Sequence, residues 1–181
     1  MRIDIVSDIH AYLPSLQDAL NHFKQEEVAH IICAGDLVDG GRDGEAVVSL
    51  LRQRQIPCVQ GNHDRDAFGH QAWIRRSLRA SGETSHPFRL TSETTAYLSG
   101  LPTKVDLEFK GVTICLAHGT PDSNTIYTFP DAEADHFHEV ASATNAEVIV
   151  LGHTHTPICV QYGARWVMNP GSTYMNRFHS K

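Results

Sequence analysis

The chain has 181 residues, of which 41% are hydrophobic and 20% charged, and its formal net charge is −6 from 15 basic and 21 acidic side chains. That length and apolar content fit one compact domain over 1–181 with a core of its own. The acidic balance and the lack of a basic run argue against a protein that grips extended nucleic acid, although a small anionic substrate beside bound cations remains compatible.

Ile3-Asp-Ile-Val6 reads as a buried strand that leads into Asp8-Ile-His10. With no long apolar secretory core ahead of it, the expected location is cytoplasmic. Pro14 to about Glu27 reads as a helix, with proline in the first turn and apolar residues at Leu16, Leu20 and Phe23. His30-Ile-Ile-Cys-Ala34 is a second strand running into Gly35-Asp36, and Glu45 to about Gln55 a second helix with an apolar stripe at Val47, Val48, Leu50 and Leu51. Ile56-Pro-Cys-Val59 is a short third strand ending in Gly61-Asn62-His63-Asp64. Alternation of this kind implies parallel strands with helical crossovers.

Asp66 to about Ser81 is the next helix, with Trp73, Ile74 and Leu78 read as a face packed on the core. A polar loop over 81–87 and a short helix around Ser92–Leu98 follow. The period then changes. Val105–Phe109 and Val112–Ala117 alternate as a hairpin about Lys110-Gly111 and end in His118-Gly119. Asp131 to about Thr144 is helical, Glu147–Leu151 is a strand ending in Gly152-His153-Thr-His155, and Ile158–Gln161 with Arg165–Met168 forms a last hairpin ending at Asn169-Pro-Gly171. The expected fold is α/β: two mixed β-sheets packed as a sandwich, with helices on both outer faces. The apolar runs are strand-sized, so no membrane span is expected.

Four cysteines, at 33, 58, 115 and 159, contain no CxxC pair and sit in or at apolar runs, which reads as buried thiols. Twelve histidines are more telling, because several fall where a fold could gather them. Five expected strands end in Asp8/His10, Asp36, Asn62/His63, His118 and His153/His155. Ligands of open α/β sheets lie outside the carboxyl ends of strands, so these ends describe one crevice. Mixed carboxylate, imidazole and amide donors suit Mn²⁺, Fe²⁺, Co²⁺ or Zn²⁺. Even seven ligands from this set exceed one tetrahedral ion and match two ions sharing a carboxylate. Taken singly, each of these histidines reads more often as solvated or structural. The remaining ones (His22, His30, His70, His86, His136, His138 and His179) are read that way, and Asp64 as a supporting or helix-capping residue.

The ordered blocks Asp8-x-His10, Gly35-Asp36-x-x-Asp39, Gly61-Asn62-His63-Asp64, His118-Gly119 and Gly152-His153-x-His155 resemble the motif set of calcineurin-like metallophosphoesterases. Tyr97–Pro102, Ala117–Pro121 and Asn169-Pro-Gly-Ser172 resemble its small bacterial phosphodiesterase branch. The resemblance implies a dinuclear centre. Asp8, His10 and His155 would hold one metal and Asn62, His118 and His153 the other, with Asp36 bridging; the ions would be manganese foremost, with Fe²⁺, Co²⁺, Ni²⁺ or Zn²⁺ as alternatives. It further implies hydrolysis of a small or nucleotide-like phosphodiester by a metal-bridging hydroxide, with His63 as general acid and Asp39 as its carboxylate partner.

One position departs from the protein Ser/Thr phosphatases of this superfamily. They carry a phosphate-clamping Arg directly after the second Asp of the Gly-Asp block, where this chain has Gly40. That tilts the expectation to diesters over monoesters, with Arg42 and Arg65 as possible substitutes. A phosphomonoesterase and a non-catalytic scaffold of the same fold are the alternatives, the latter disfavoured because every ligand position is filled.

Overall fold

A computed structural model describes residues 2–174; His179 lies outside them. In chain order the elements are β1 (Ile3–Val6), α1 (Leu13–Gln25), β2 (His30–Cys33), α2 (Gly44–Gln53), α3 (Asn62–Ser81), α4 (Ser92–Ser99), β3 (Lys104–Phe109), β4 (Val112–Ala117), α5 (Ala134–Ser142), β5 (Val148–Val150), β6 (Ile158–Tyr162) and β7 (Arg165–Asn169). β1 and β2 pair in parallel, and the other five strands form a mixed sheet in the order β3-β4-β5-β7-β6.

Strand alternation accounts for the layering. In β2, Ile32 points into the apolar layer between the sheets, where it meets Ile114, Leu116 and Val150. Its neighbour Cys33 points the other way, with Val6, into a layer built with Leu16 and Leu20 of α1, Val47, Val48 and Leu51 of α2, Ala67 of α3 and Leu98 of α4. On the far face of the larger sheet, Phe137, Val140 and Ala141 of α5 cover Ala117, Ile149, Leu151 and Val167. The result is the expected sandwich with helices outside both sheets.

Four local expectations change. Ile56–Val59 is no regular strand: it touches β2 through one parallel bridge, Cys33 to Cys58. Cys33 N–H donates to the Pro57 carbonyl at 2.8 Å and Val59 N–H to the Cys33 carbonyl at 3.1 Å, but Pro57 has no N–H to extend the ladder. The third helix starts at Asn62, four residues before the expected Asp66, because the buried Asp64 carboxylate accepts the Gly61 N–H at 2.9 Å and closes the first turn. Cys159, expected to be buried, is exposed, since it lies on the outward face of the edge strand β6. Trp73, expected on the core face of α3, is 58% exposed, whereas its neighbours Ile74 and Leu78 do pack inward.

Candidate metal centre

The turns that follow β1, β2, β4 and β5, with the start of α3, meet at one end of the sandwich. There Asp8, Asp36 and His118 are essentially sealed from solvent, with His10 and His153 nearly so. Two groups that share no residue, Asp8/His10/His155 and Asp36/His118/His153, each offer three ligand atoms within 4.8 Å of one another. A third group, His10/Asp36/His63, joins them through shared members. All eight side chains expected at the site therefore converge, since Asn62 Oδ1 stands 3.1 Å from His118 Nε2.

The outer hydrogen bonds decide which imidazole nitrogen each histidine turns inward. His118 Nδ1 donates to the Ala34 carbonyl at 2.7 Å, leaving Nε2 facing Asn62 Oδ1 and, at 3.2 Å, Asp36 Oδ2. His10 Nδ1 donates to the Asp39 carbonyl at 3.2 Å. Its Nε2 points at His155 Nε2, 3.0 Å away, and Asp8 Oδ1 lies 3.2 Å from that same His155 nitrogen. His153 Nε2 donates to the Thr125 carbonyl at 3.2 Å, so Nδ1 is the nitrogen left for a cation. A carbonyl that fixes the tautomer of a ligating histidine is the usual support of such sites.

Acceptors facing acceptors at this depth require positive charge between them. Burial works against a charged His118, but the Asp36 carboxylate outweighs it and raises the imidazole to about 9. Burial likewise opposes ionised Asp36, yet its bond from His118 holds the carboxyl below its ordinary value. A proton on His118 takes the place suited to a metal ion. Two separate N/O triads, linked through the His10/Asp36 proximity and with the tautomers of His10, His118 and His153 set by carbonyls, fit two divalent ions of borderline softness.

The backbone anchors these donors. Asp8 takes the His153 N–H on both carboxylate oxygens, at 3.2 and 3.1 Å, and the Ser7 hydroxyl on Oδ2 at 2.6 Å. Asp36 Oδ1 takes the His63 N–H at 2.9 Å. Asp64, besides capping α3, accepts the Leu37 N–H at 2.9 Å and the Val38 N–H at 3.3 Å, which ties the helix to the Asp36 turn. Burial and the nearby Asp36 charge push the Asp64 carboxyl up to about 7. Asn169 Nδ2 holds the Gly152 carbonyl at 2.5 Å, and Ser172 Oγ donates to the Asp8 carbonyl at 2.8 Å. The Asn-Pro-Gly-Ser segment thus braces the turns that carry the ligands.

His63 stands differently from the ligand candidates. Its Nδ1 lies 2.8 Å from Asp39 Oδ2, both side chains are more than a third exposed, and its ring meets His10 edge-on at 4.9 Å. The Asp39 hydrogen bond, against some loss from burial, raises the His63 imidazole above its ordinary value. Three features escaped the sequence reading. His70, read as bland, lies 3.7 Å from the same Asp39 oxygen; it is two helical turns beyond His63 and shares its face. Tyr127 stacks on His153 at 4.0 Å. Ser7 supports Asp8. The i, i+7 spacing of His63 and His70 is the one signal that could have revealed any of them.

Gly61 passes so close to Asp36 that a Cβ there would sit 2.0 Å from Asp36 Oδ1. Gly61→Ala should therefore displace the shared carboxylate and leave fewer than two bound metals per chain by elemental analysis after Mn²⁺ loading, while the circular dichroism spectrum remains that of the folded protein.

Among proteins compared by sequence, an uncharacterised protein of Methanocaldococcus jannaschii is 25% identical over 96% of this chain and 70% of its own length. Serine/threonine-protein phosphatase 1 of Salmonella typhimurium is 29% identical over 54% of this chain, which spans 45% of that phosphatase. A solved metallophosphoesterase of Sphaerobacter thermophilus superposes with a TM-score of 0.73 at 26% identity, covering 96% of this chain and 77% of that one. The profile of the calcineurin-like phosphoesterase superfamily domain matches residues 1–181, and the chain belongs to that superfamily.

Proposed function

We propose that this chain is a two-metal phosphodiesterase acting on a small or nucleotide-like phosphodiester, with Mn²⁺ as the preferred ion. The observation that carries the reading is a His63–Asp39 pair, 2.8 Å apart, beside two disjoint metal-ligand triads. Asp8, His10 and His155 would hold one ion and Asn62, His118 and His153 the other, with Asp36 able to serve both. When bound, two such ions supply a water nucleophile at neutral pH and offset charge on the phosphate oxygens. The chain's own residues do the rest. Asp39 keeps the His63 proton on Nδ1 and favours the charged ring, and Nε2–H gives its proton to the leaving oxygen as the P–O bond to that group breaks and the water oxygen joins phosphorus.

The replacement of the clamping Arg by Gly40 favours diesters. Gly40 adopts φ +99°, a conformation that side chains with a Cβ rarely take, so an Arg clamp at this place would be strained. Arg65 is committed elsewhere, with two bonds to Asp66 at 2.8 and 3.1 Å and one to Asn124 at 3.2 Å. A diester monoanion needs less cationic help than a monoester dianion. Monoester hydrolysis is the second reading, favoured by the likeness to the Salmonella phosphatase. A scaffold role is disfavoured by the full set of ligand side chains.

Metal-depleted protein should be inactive, and Mn²⁺ should restore a higher kcat/KM on bis(4-nitrophenyl) phosphate than on 4-nitrophenyl phosphate. Faster monoester turnover would reverse the preference, and no turnover of either by the metal-loaded protein would point to a scaffold. His63→Ala should keep two metals per chain while kcat drops by ~10²–10⁴; loss of a metal would make His63 a ligand instead. Because His63 acts when protonated, activity should fall as pH rises through its raised pKa. Asp39→Asn removes the group that raises it, so the alkaline limb of the pH–rate profile should move to lower pH.

A further inference from the structure

The 119–129 loop supplies no ligand candidate of its own, yet it reaches all three side chains assigned to the second ion. It begins at the residue after His118. Asn124 Nδ2 donates at 3.5 Å to the carbonyl of Gly61, the residue that leads into Asn62. The Thr125 carbonyl accepts from His153 Nε2 at 3.2 Å, and the Tyr127 ring lies over the His153 imidazole at 4.0 Å, tilted by 11°. Asp8, His10 and His155 take their supports elsewhere: the Ser7 hydroxyl, the Asp39 carbonyl and Asp8 itself.

The loop is anchored on both flanks. Thr120 and Ser123 exchange backbone hydrogen bonds at 2.6 and 3.1 Å, and Arg65 Nη1 of α3 donates to Asn124 Oδ1 at 3.2 Å. The buried Thr128 hydroxyl bonds His136 Nε2 of α5 at 2.9 Å. Between these anchors Phe129 stacks on Tyr127 at 5.6 Å and 15°. Tyr127 is 55% exposed. A ring so exposed adds little to the core, and the imidazole is what it covers.

The two histidines of this ion differ in how they are held. His118 is sealed in the protein, with Nδ1 tied to the Ala34 carbonyl. His153 sits on a left-handed residue, φ 70°, in the turn after β5. One hydrogen bond at Nε2 leaves its imidazole able to swivel about that bond, and a ring laid flat against it removes this freedom. A cation on Nδ1 also draws electron density from the imidazole, and an electron-poor ring stacks better on the electron-rich face of a phenol. The stack therefore favours the metal-bound form over the free one.

We infer that Tyr127 is a positioning residue for His153, and that through it the 119–129 loop sets the affinity of the second ion while leaving the first alone. The inference rests on the two-ion part of the reading above, whichever ester the ions act on.

Calorimetric titration of metal-depleted protein with Mn²⁺ tests it. Tyr127→Ala should weaken one of two binding steps by ~10–100-fold and leave the other at its wild-type affinity. The weakened step should be the one that His153→Ala removes, not the one that His155→Ala removes. Tyr127→Phe keeps the ring and should bind as the wild type does; Tyr127→Leu keeps bulk without a π face and should behave as Tyr127→Ala. Unchanged affinity in Tyr127→Ala, weakening of the His155 step, equal weakening of both steps, or full recovery with Leu would each overturn the inference and leave the two-ion reading standing. Wild-type protein that takes up fewer than two Mn²⁺ per chain would overturn the two-ion reading, and the inference with it.

Discussion

Everything in this molecule is arranged around carboxylate oxygens and imidazole nitrogens brought together out of water. Asp8, Asp36 and His118 have almost no contact with solvent, and acceptors crowded at 3.0–3.2 Å repel one another unless positive charge stands between them. A chain that buries such a set must supply that charge by proton or by metal ion. Apolar packing on three levels holds the turns in place against this repulsion, and the strand ends cannot relax apart without opening the layers that Ile32, Leu116 and Ile149 fill.

The backbone shares the burden. Ten non-glycine residues among those described have positive φ, and six of them are Asp8, His10, Asp36, Asp39, His153 and His155. Left-handed backbone is disfavoured for side chains with a Cβ, though Asp, Asn and His tolerate it best. Strain of this kind persists only where the surroundings over-determine it. Here they do: Asp8 N–H, Ile9 N–H and His10 N–H are pinned to the carbonyls of Gly35 and Asp36 at 2.9–3.0 Å, and Asn169 pins the Gly152 turn. The left-handed turns swing consecutive side chains inward at the strand ends.

How much of this was legible beforehand depended on the physical scale of the signal. The convergence of the site side chains was readable, since Asp8, His10, Asp36, His118, His153 and His155 sit where apolar runs of period two stop. Helix and strand types were readable for the same reason. The start of α3 was not, because its cap is the carboxylate of Asp64 bonded back to Gly61, a contact no periodicity announces. Failure of the 56–59 ladder turned on a single missing donor at Pro57. Cys159 was misread because an apolar strand at a sheet edge has an outer face that composition cannot distinguish from the inner one. Trp73 was misread because a large ring next to Ile74 looks like core until the helix phase is known. The stacking of Tyr127 on His153 depends on a loop whose course has no periodic signature at all.

Helix α3 runs unbroken from Asn62 to Ser81. Its first turn bears Asn62 and His63, and Trp73 follows ten residues after His63, roughly 15 Å along the axis at 1.5 Å per residue. The crevice residues and the exposed Trp73 are thus mounted on one stiff rod, at separate heights. Exchanging residues along the distal turns would reshape the outer face while the near end, locked by Asp64, keeps its alignment. A lineage of such proteins could vary that outer face by editing one segment, with the crevice inherited intact.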